Sequence, residues 1–223
     1  MKKLLTIVLI FLAGASVFAQ NMQMAPKQTG PSVRLHGYTT YAFDDNHVDS
    51  YYSNTDYFDG SLEGGFQWGG GLEIMPAPSM GIEFTYLRLD SKAPMEYYNG
   101  GVKYTDFDLA TNWLMLGGNK YVPNNSKVEP YGGFMLGMAI FDVTNPDNGN
   151  NSSGTKFAWG AKLGANIWAN EKVGLKLQMN LLSAVQAVGG GIYFGTGGAG
   201  AGVSGFSTFY QFSLGGGLVF KIK

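Results

Sequence analysis

The sequence predicts an all-β fold, an eight-stranded antiparallel up-and-down transmembrane β-barrel. Three observations predict it. A stretch of about ten residues with alternating apolar and polar side chains recurs eight times between residues 32 and 223. The connections alternate strictly between long (44–61, 91–106, 142–155, 184–207) and short (76–80, 122–127, 169–172). Aromatic side chains collect at strand ends beside the long connections, as in membrane-interface girdles.

Residues 1–19 precede the barrel and carry Lys2, Lys3, an apolar run from Leu4 to Ala13, and Val17 and Ala19 at small-residue positions. This is the pattern of a secretory signal peptide cut after Ala19. The run is shorter than the roughly 20 apolar residues a spanning helix needs. Residues 20–31 read as a flexible tail, and residues 32–223 as the barrel. Without Lys2 and Lys3 the chain has 13 basic (15 less 2) against 16 acidic residues, a formal charge of −3 with no basic cluster, so nucleic acid is not an expected partner. The absence of cysteine excludes disulfides, thiolate metal sites and a lipoprotein anchor.

The strands follow in order. Because successive side chains alternate faces, parity separates a lipid side from a lumen side. The first strand places Tyr41 and Phe43 on the apolar face and Arg34, His36 and Tyr38 on the other. In the second, Phe66, Trp68, Leu72 and Ile74 oppose Gln67, Gly69, Gly71 and Glu73; in the third, Ile82, Phe84 and Tyr86 oppose Glu83 and Thr85. The fourth is assigned Phe107 on the apolar face, with Asp108 and Ala110 toward the lumen, and Tyr121 in a sparser girdle at the far end with Phe220. In the fifth, Val128, Phe134, Leu136, Met138 and Ile140 oppose Glu129, Tyr131, Gly133 and Gly137; in the sixth, Phe157, Trp159, Leu163 and Ile167 oppose Lys162 and Asn166. The seventh sets Val173, Leu175, Leu177, Met179 and Leu181 against Lys176, Gln178 and Asn180, and the eighth puts Tyr210 and Phe212 at its loop end.

A secreted eight-stranded barrel of the lipocalin type would bury the apolar face instead. The outer girdle of Tyr41, Phe43, Phe66, Trp68, Phe84, Tyr86, Phe107, Phe157, Trp159, Tyr210 and Phe212 argues for lipid outside. Short turns and both termini then lie on the periplasmic side of a Gram-negative outer membrane.

The chain ends GGGLVFKIK, in which Gly217, Phe220 and Ile222 match the glycine-then-two-apolar spacing of a C-terminal assembly signal. With this ending the chain resembles the small OmpA/OmpX-like outer-membrane barrels, the "porin family" of Bacteroidota, over nearly all its mature length. It departs from them in finishing Lys221-Ile222-Lys223 rather than on an aromatic residue. The resemblance implies outer-membrane lipid and the assembly machinery as partners, a monomer, and no cofactor.

An eight-stranded lumen is only wide enough to be filled by side chains or to hold one small ligand. Its expected charges are Arg34, Glu73, Glu83, Glu129, Lys162, Lys176 and Lys221, nearly all in the periplasmic half. Such charges must pair, as a structural plug or as a gate whose partners exchange. Small residues, from Gly69 and Gly71 through Gly133, Gly137 and Gly160 to Gly215 and Gly217, leave some space, which keeps a narrow solute channel as the alternative function.

Other motifs carry less. Residues 200–205 have G-x-G-x-x-G spacing without the strand-turn-helix setting of a dinucleotide site, and 189–205 reads as a glycine-rich loop over the mouth. His36 and His47 are the only histidines; His36 lies at the periplasmic end and His47 lacks a serine partner in strand register, so no catalytic residue and no metal site is expected, and an outer-leaflet lipid-modifying enzyme ranks last. Tyr51, Tyr52, Tyr57, Tyr97, Tyr98 and Tyr104 in the outer loops are suited to binding a surface ligand. The leading expectation is therefore a non-enzymatic barrel with an envelope or surface-interaction role.

Overall fold

The computed structural model describes residues 31–45, 51–52, 57–98, 101–122, 127–185, 191–195, 198–202 and 209–222. The expected signal peptide, nearly all of the tail and His47 lie outside them.

Eight antiparallel strands close a ring. They are β1 (Ser32–Ala42), β4 (Gly65–Ala77), β5 (Met80–Tyr98), β6 (Val102–Tyr121), β7 (Val128–Thr144), β8 (Asn151–Trp168), β9 (Val173–Val185) and β12 (Phe209–Lys221). β1 closes the barrel by pairing with β4 on one edge and β12 on the other, for instance Arg34 opposite Glu73 and opposite Lys221. Closure leaves no unpaired sheet edge, the condition for strands to cross hydrocarbon. A short hairpin of β2 (Tyr51–Tyr52) and β3 (Tyr57–Gly60) adds to the outer part of β5. A glycine-rich hairpin of β10 (Gly191–Gly195) and β11 (Gly198–Gly202) packs across β5, β7 and β8 at the loop end.

The outward residues form an apolar band. It runs from Ile74 to Phe66 on β4, Ile82 to Tyr86 on β5, Leu116 and Leu114 on β6, Phe134 to Ile140 on β7, Leu163 to Phe157 on β8 and Leu175 to Leu181 on β9. Five alternating positions on a tilted strand match the roughly 25 Å hydrocarbon-facing band of such barrels. β1, β4, β9 and β12 stop near its loop-side edge, whereas β5 to β8 continue, with paired residues as far as Tyr98 and Val102. From Arg88 to Tyr98 the wall extends roughly 30 Å along the strand. The barrel is therefore tall on one side only.

Beyond the band the faces exchange character. The outward positions become Arg88, Asp90, Lys92, Asp106, Asp108 and Asp142, while Ala93, Met95, Phe107, Leu109, Phe141 and Val143 turn inward and are buried. This corrects three sequence assignments on β6. Phe107 is inside, not in the girdle; Asp108 and Ala110 point outward, not into the lumen. The solvent outside the wall is now water, so the apolar parity reverses as in a soluble sheet. Tyr121 is also inside, drawn there by a carboxylate.

Candidate functional site

The interior changes character from the turns to the loops. At the turn end, alternation on seven strands brings together Arg34 and His36 (β1), Glu73 (β4), Glu83 (β5), Asn119 and Tyr121 (β6), Glu129 (β7), Lys162 and Asn166 (β8) and Lys176 (β9). Glu73 and Glu83 face each other across the β4–β5 ladder. Two carboxylates so placed repel. Asn119 Nδ2 bridges them, donating at 2.6 Å to Glu73 and 2.7 Å to Glu83.

Glu83 is the hub. It accepts from Lys162 Nζ at 2.6 Å and from the Tyr38 hydroxyl, and has Lys176 Nζ 3.9 Å away. Glu73 accepts from Tyr121 Oη at 2.8 Å and meets His36 Nε2 at 3.2 Å. His36 Nδ1 lies 3.3 Å from Lys176 Nζ, whose ammonium also sits 4.6 Å above the Tyr131 ring. Nearer the mouth of the turns, Arg34 grips Glu129 with two bonds of 2.8 and 3.1 Å, and its guanidinium lies between the rings of Tyr121 and Trp168. Asn166 and Trp168 donate to the same carboxylate.

Six of the seven charges expected in the lumen thus meet in one network; Lys221 stands half-buried on β12 and joins none of the ion pairs among the described residues. The neutral members Asn119, Tyr121 and Trp168 were not legible as its partners, because their roles depend on register across the ring. Donor atoms of His36, Glu73 and Glu83 lie within 4.8 Å of one another, close enough to hold a metal. The donor set does not fit one: Lys162 and Lys176 already hold Glu83, and with Arg34 they balance the three glutamates, so a cation would have to displace a buried ammonium.

A middle layer is polar and neutral, with Thr40, Gln67 and Gln211 hydrogen-bonded in a row and Gln178, Asn180 and Ser213 in another. Beside it, and continuing toward the loops, an apolar core contains Leu87, Trp113, Met115, Met135, Phe141 and Leu182, with Phe209 stacked on Trp113 at 5.9 Å. On the outside, all girdle residues except Phe107 face outward, Tyr41, Phe66 and Tyr210 being half or more exposed. On the extended wall Lys92 pairs with Asp108 at 2.5 Å, and hydrogen bonding to that carboxylate raises its ammonium above the usual lysine range.

This architecture defines a class: a small transmembrane β-barrel with an inward charge network and an outward hydrocarbon band. The model of one family, described as outer membrane protein beta-barrel domain, matches residues 7–212, and the chain belongs to that family. Among solved structures it is similar to Neisserial surface protein A, with 16% identity over 86% of this chain and 99% of that one and a TM-score of 0.56. It is also similar to the outer membrane protein OprG of Pseudomonas aeruginosa, with 13% identity over 90% and 98% and a TM-score of 0.54. A search of curated proteins found no match in sequence.

Proposed function

We propose that this chain is a closed, monomeric, non-enzymatic outer-membrane barrel whose one-sided outer wall and loops serve surface or envelope interactions. Both termini would then be periplasmic and the loop end outside the cell. The observation that carries the reading is the filled interior. Charged side chains fill the turn end, and toward the loops a neutral polar row and an apolar cluster stand side by side, with Glu83, Gln67 and Trp113 each fully buried. A conducting lumen would need a continuous wet path, so the channel alternative loses its main support. The absence of an enzymatic role is argued from His36, which is committed to Glu73 and Lys176 at the turn end, far from the loops.

Single-channel recording of the refolded protein in planar bilayers tests closure. A silent barrel is expected for the natural sequence, and discrete openings would overturn the reading. The recognition half is tested by adhesion of cells displaying the barrel to glycan and matrix-protein surfaces. Removing residues 44–61 or 189–205 should abolish adhesion while the barrel still assembles; equal adhesion of cells with and without the barrel would count against it.

A further inference from the structure

In the turn-end network a primary amine and a carboxamide meet at one carboxylate oxygen. Lys162 Nζ donates to Glu83 Oε2 at 2.6 Å, and Asn119 Nδ2 donates to the same oxygen at 2.7 Å. All three residues are at most 3% exposed. The ladders explain the meeting. Asn119 on β6 and Lys162 on β8 both stand opposite Gly133 on β7, so the two lie in one row with no side chain between them. They converge over that glycine, where a Cβ would fall 2.4 Å from Asn119 Oδ1 and 3.1 Å from Lys162 Cε.

This arrangement orients both groups for acyl transfer. The Asn119 nitrogen is aimed at the carboxylates of Glu83 and Glu73, so the leaving group of an attacked amide already faces a proton carrier. Its carbonyl oxygen points over Gly133, where the lysine chain passes. An ammonium cannot attack and an amide nitrogen leaves only once protonated; a single carboxylate bonded to both nitrogens meets both needs. Fixed proximity in a buried site supplies the rest and keeps out competing water.

We propose that this is a self-modification site, at which Lys162 and Asn119 join in an intramolecular isopeptide bond with Glu83 as the proton carrier. Glu83 takes a proton from the Lys162 ammonium, and the freed amine adds to Asn119 Cγ. The protonated carboxyl then gives its proton to Nδ2 and takes up the second proton that Nζ sheds, as the Cγ–Nδ2 bond breaks and ammonia leaves. One C–N bond forms and one breaks, with no oxidation or reduction. Of the two protons lost by Nζ, one departs in the ammonia and one stays on Glu83. Charge balance survives, because Lys162 and Glu83 become neutral together while Arg34 and Lys176 remain with Glu129 and Glu73. The product ties β6 to β8 across β7 in a chain without cysteine for a disulfide. It holds whether or not the outer loops bind a ligand.

The test follows the full mature barrel, refolded into vesicles from inclusion bodies, by digestion and tandem mass spectrometry over time. A branched peptide joining residues 119 and 162, lighter than its two parts by one ammonia, is expected from folded protein and absent from protein kept in denaturant. Lys162→Arg, which keeps the charge, and Asn119→Ala should lack it, and Glu83→Gln should slow its formation by about a hundredfold or more. The natural sequence decides the matter even if a variant fails to fold: folded barrel that never yields the branched peptide would overturn the proposal. So would its formation in denatured chains, or an undiminished rate in folded Glu83→Gln. Ammonia loss confined to an N-terminal glutamine or to an Asn-Gly pair, with residues 119 and 162 unlinked, also counts against it.

Discussion

At the scale of single residues, Glu83 carries the heaviest electrostatic load. It has no exposed surface and pairs with both Lys162 and Lys176. Glu83→Gln leaves two buried ammonium groups without their counter-charge, which should cost about 3–5 kcal/mol. Chemical denaturation of the barrel in vesicles measures this. Glu129→Gln should cost less, since that side chain is 18% exposed and water can take up part of the loss. Glycines divide just as sharply. A Cβ at Gly137 would lie 2.0 Å from the backbone oxygen of Leu114, so Gly137→Ala must push two strands apart, for about 1–3 kcal/mol. At Gly37, on the lipid face, a Cβ meets nothing within 4 Å, and Gly37→Ala should be neutral or slightly stabilising in the same assay. Gly217, read as part of an assembly signal, has a steric reason as well: its Cβ would fall 1.7 Å from the Gly37 carbonyl oxygen.

At the scale of elements, β6 is the instructive strand. Its stretch Trp113 to Leu116 is apolar on both faces, so alternation there carries no phase information. Lower down, Leu116 faces lipid; higher up, Phe107 faces the core. The chain has no cysteine, so single cysteines can read the phase directly. Asp108→Cys should react with a membrane-impermeant maleimide and Phe107→Cys should be protected; the opposite pattern would restore the sequence-based assignment. The band itself makes a depth-dependent prediction on β7 and β6. Leu136→Arg, at mid-band, should cost about 2–4 kcal/mol, whereas Asn112→Arg, at the polar edge beside Arg88, should cost no more than about 1 kcal/mol in vesicle unfolding.

At the scale of the whole molecule, the sequence alone determined the number of strands, the order of long and short connections, the hydrocarbon band and most of the inward charges. These follow from period-two alternation over ten-residue stretches, a property each strand expresses by itself. Only the tertiary structure decided which charges meet. Arg34 reaches Glu129 across 95 residues, and Lys162 reaches Glu83 across 79, through closure of the ring and the register of every ladder between them. It also decided that β5 to β8 rise past the band. There, water replaces lipid on the outer side, and the apolar face that points outward within the membrane points inward above it. Alternation reports that a strand has two faces; which face is wet depends on where the strand stands in the assembled barrel.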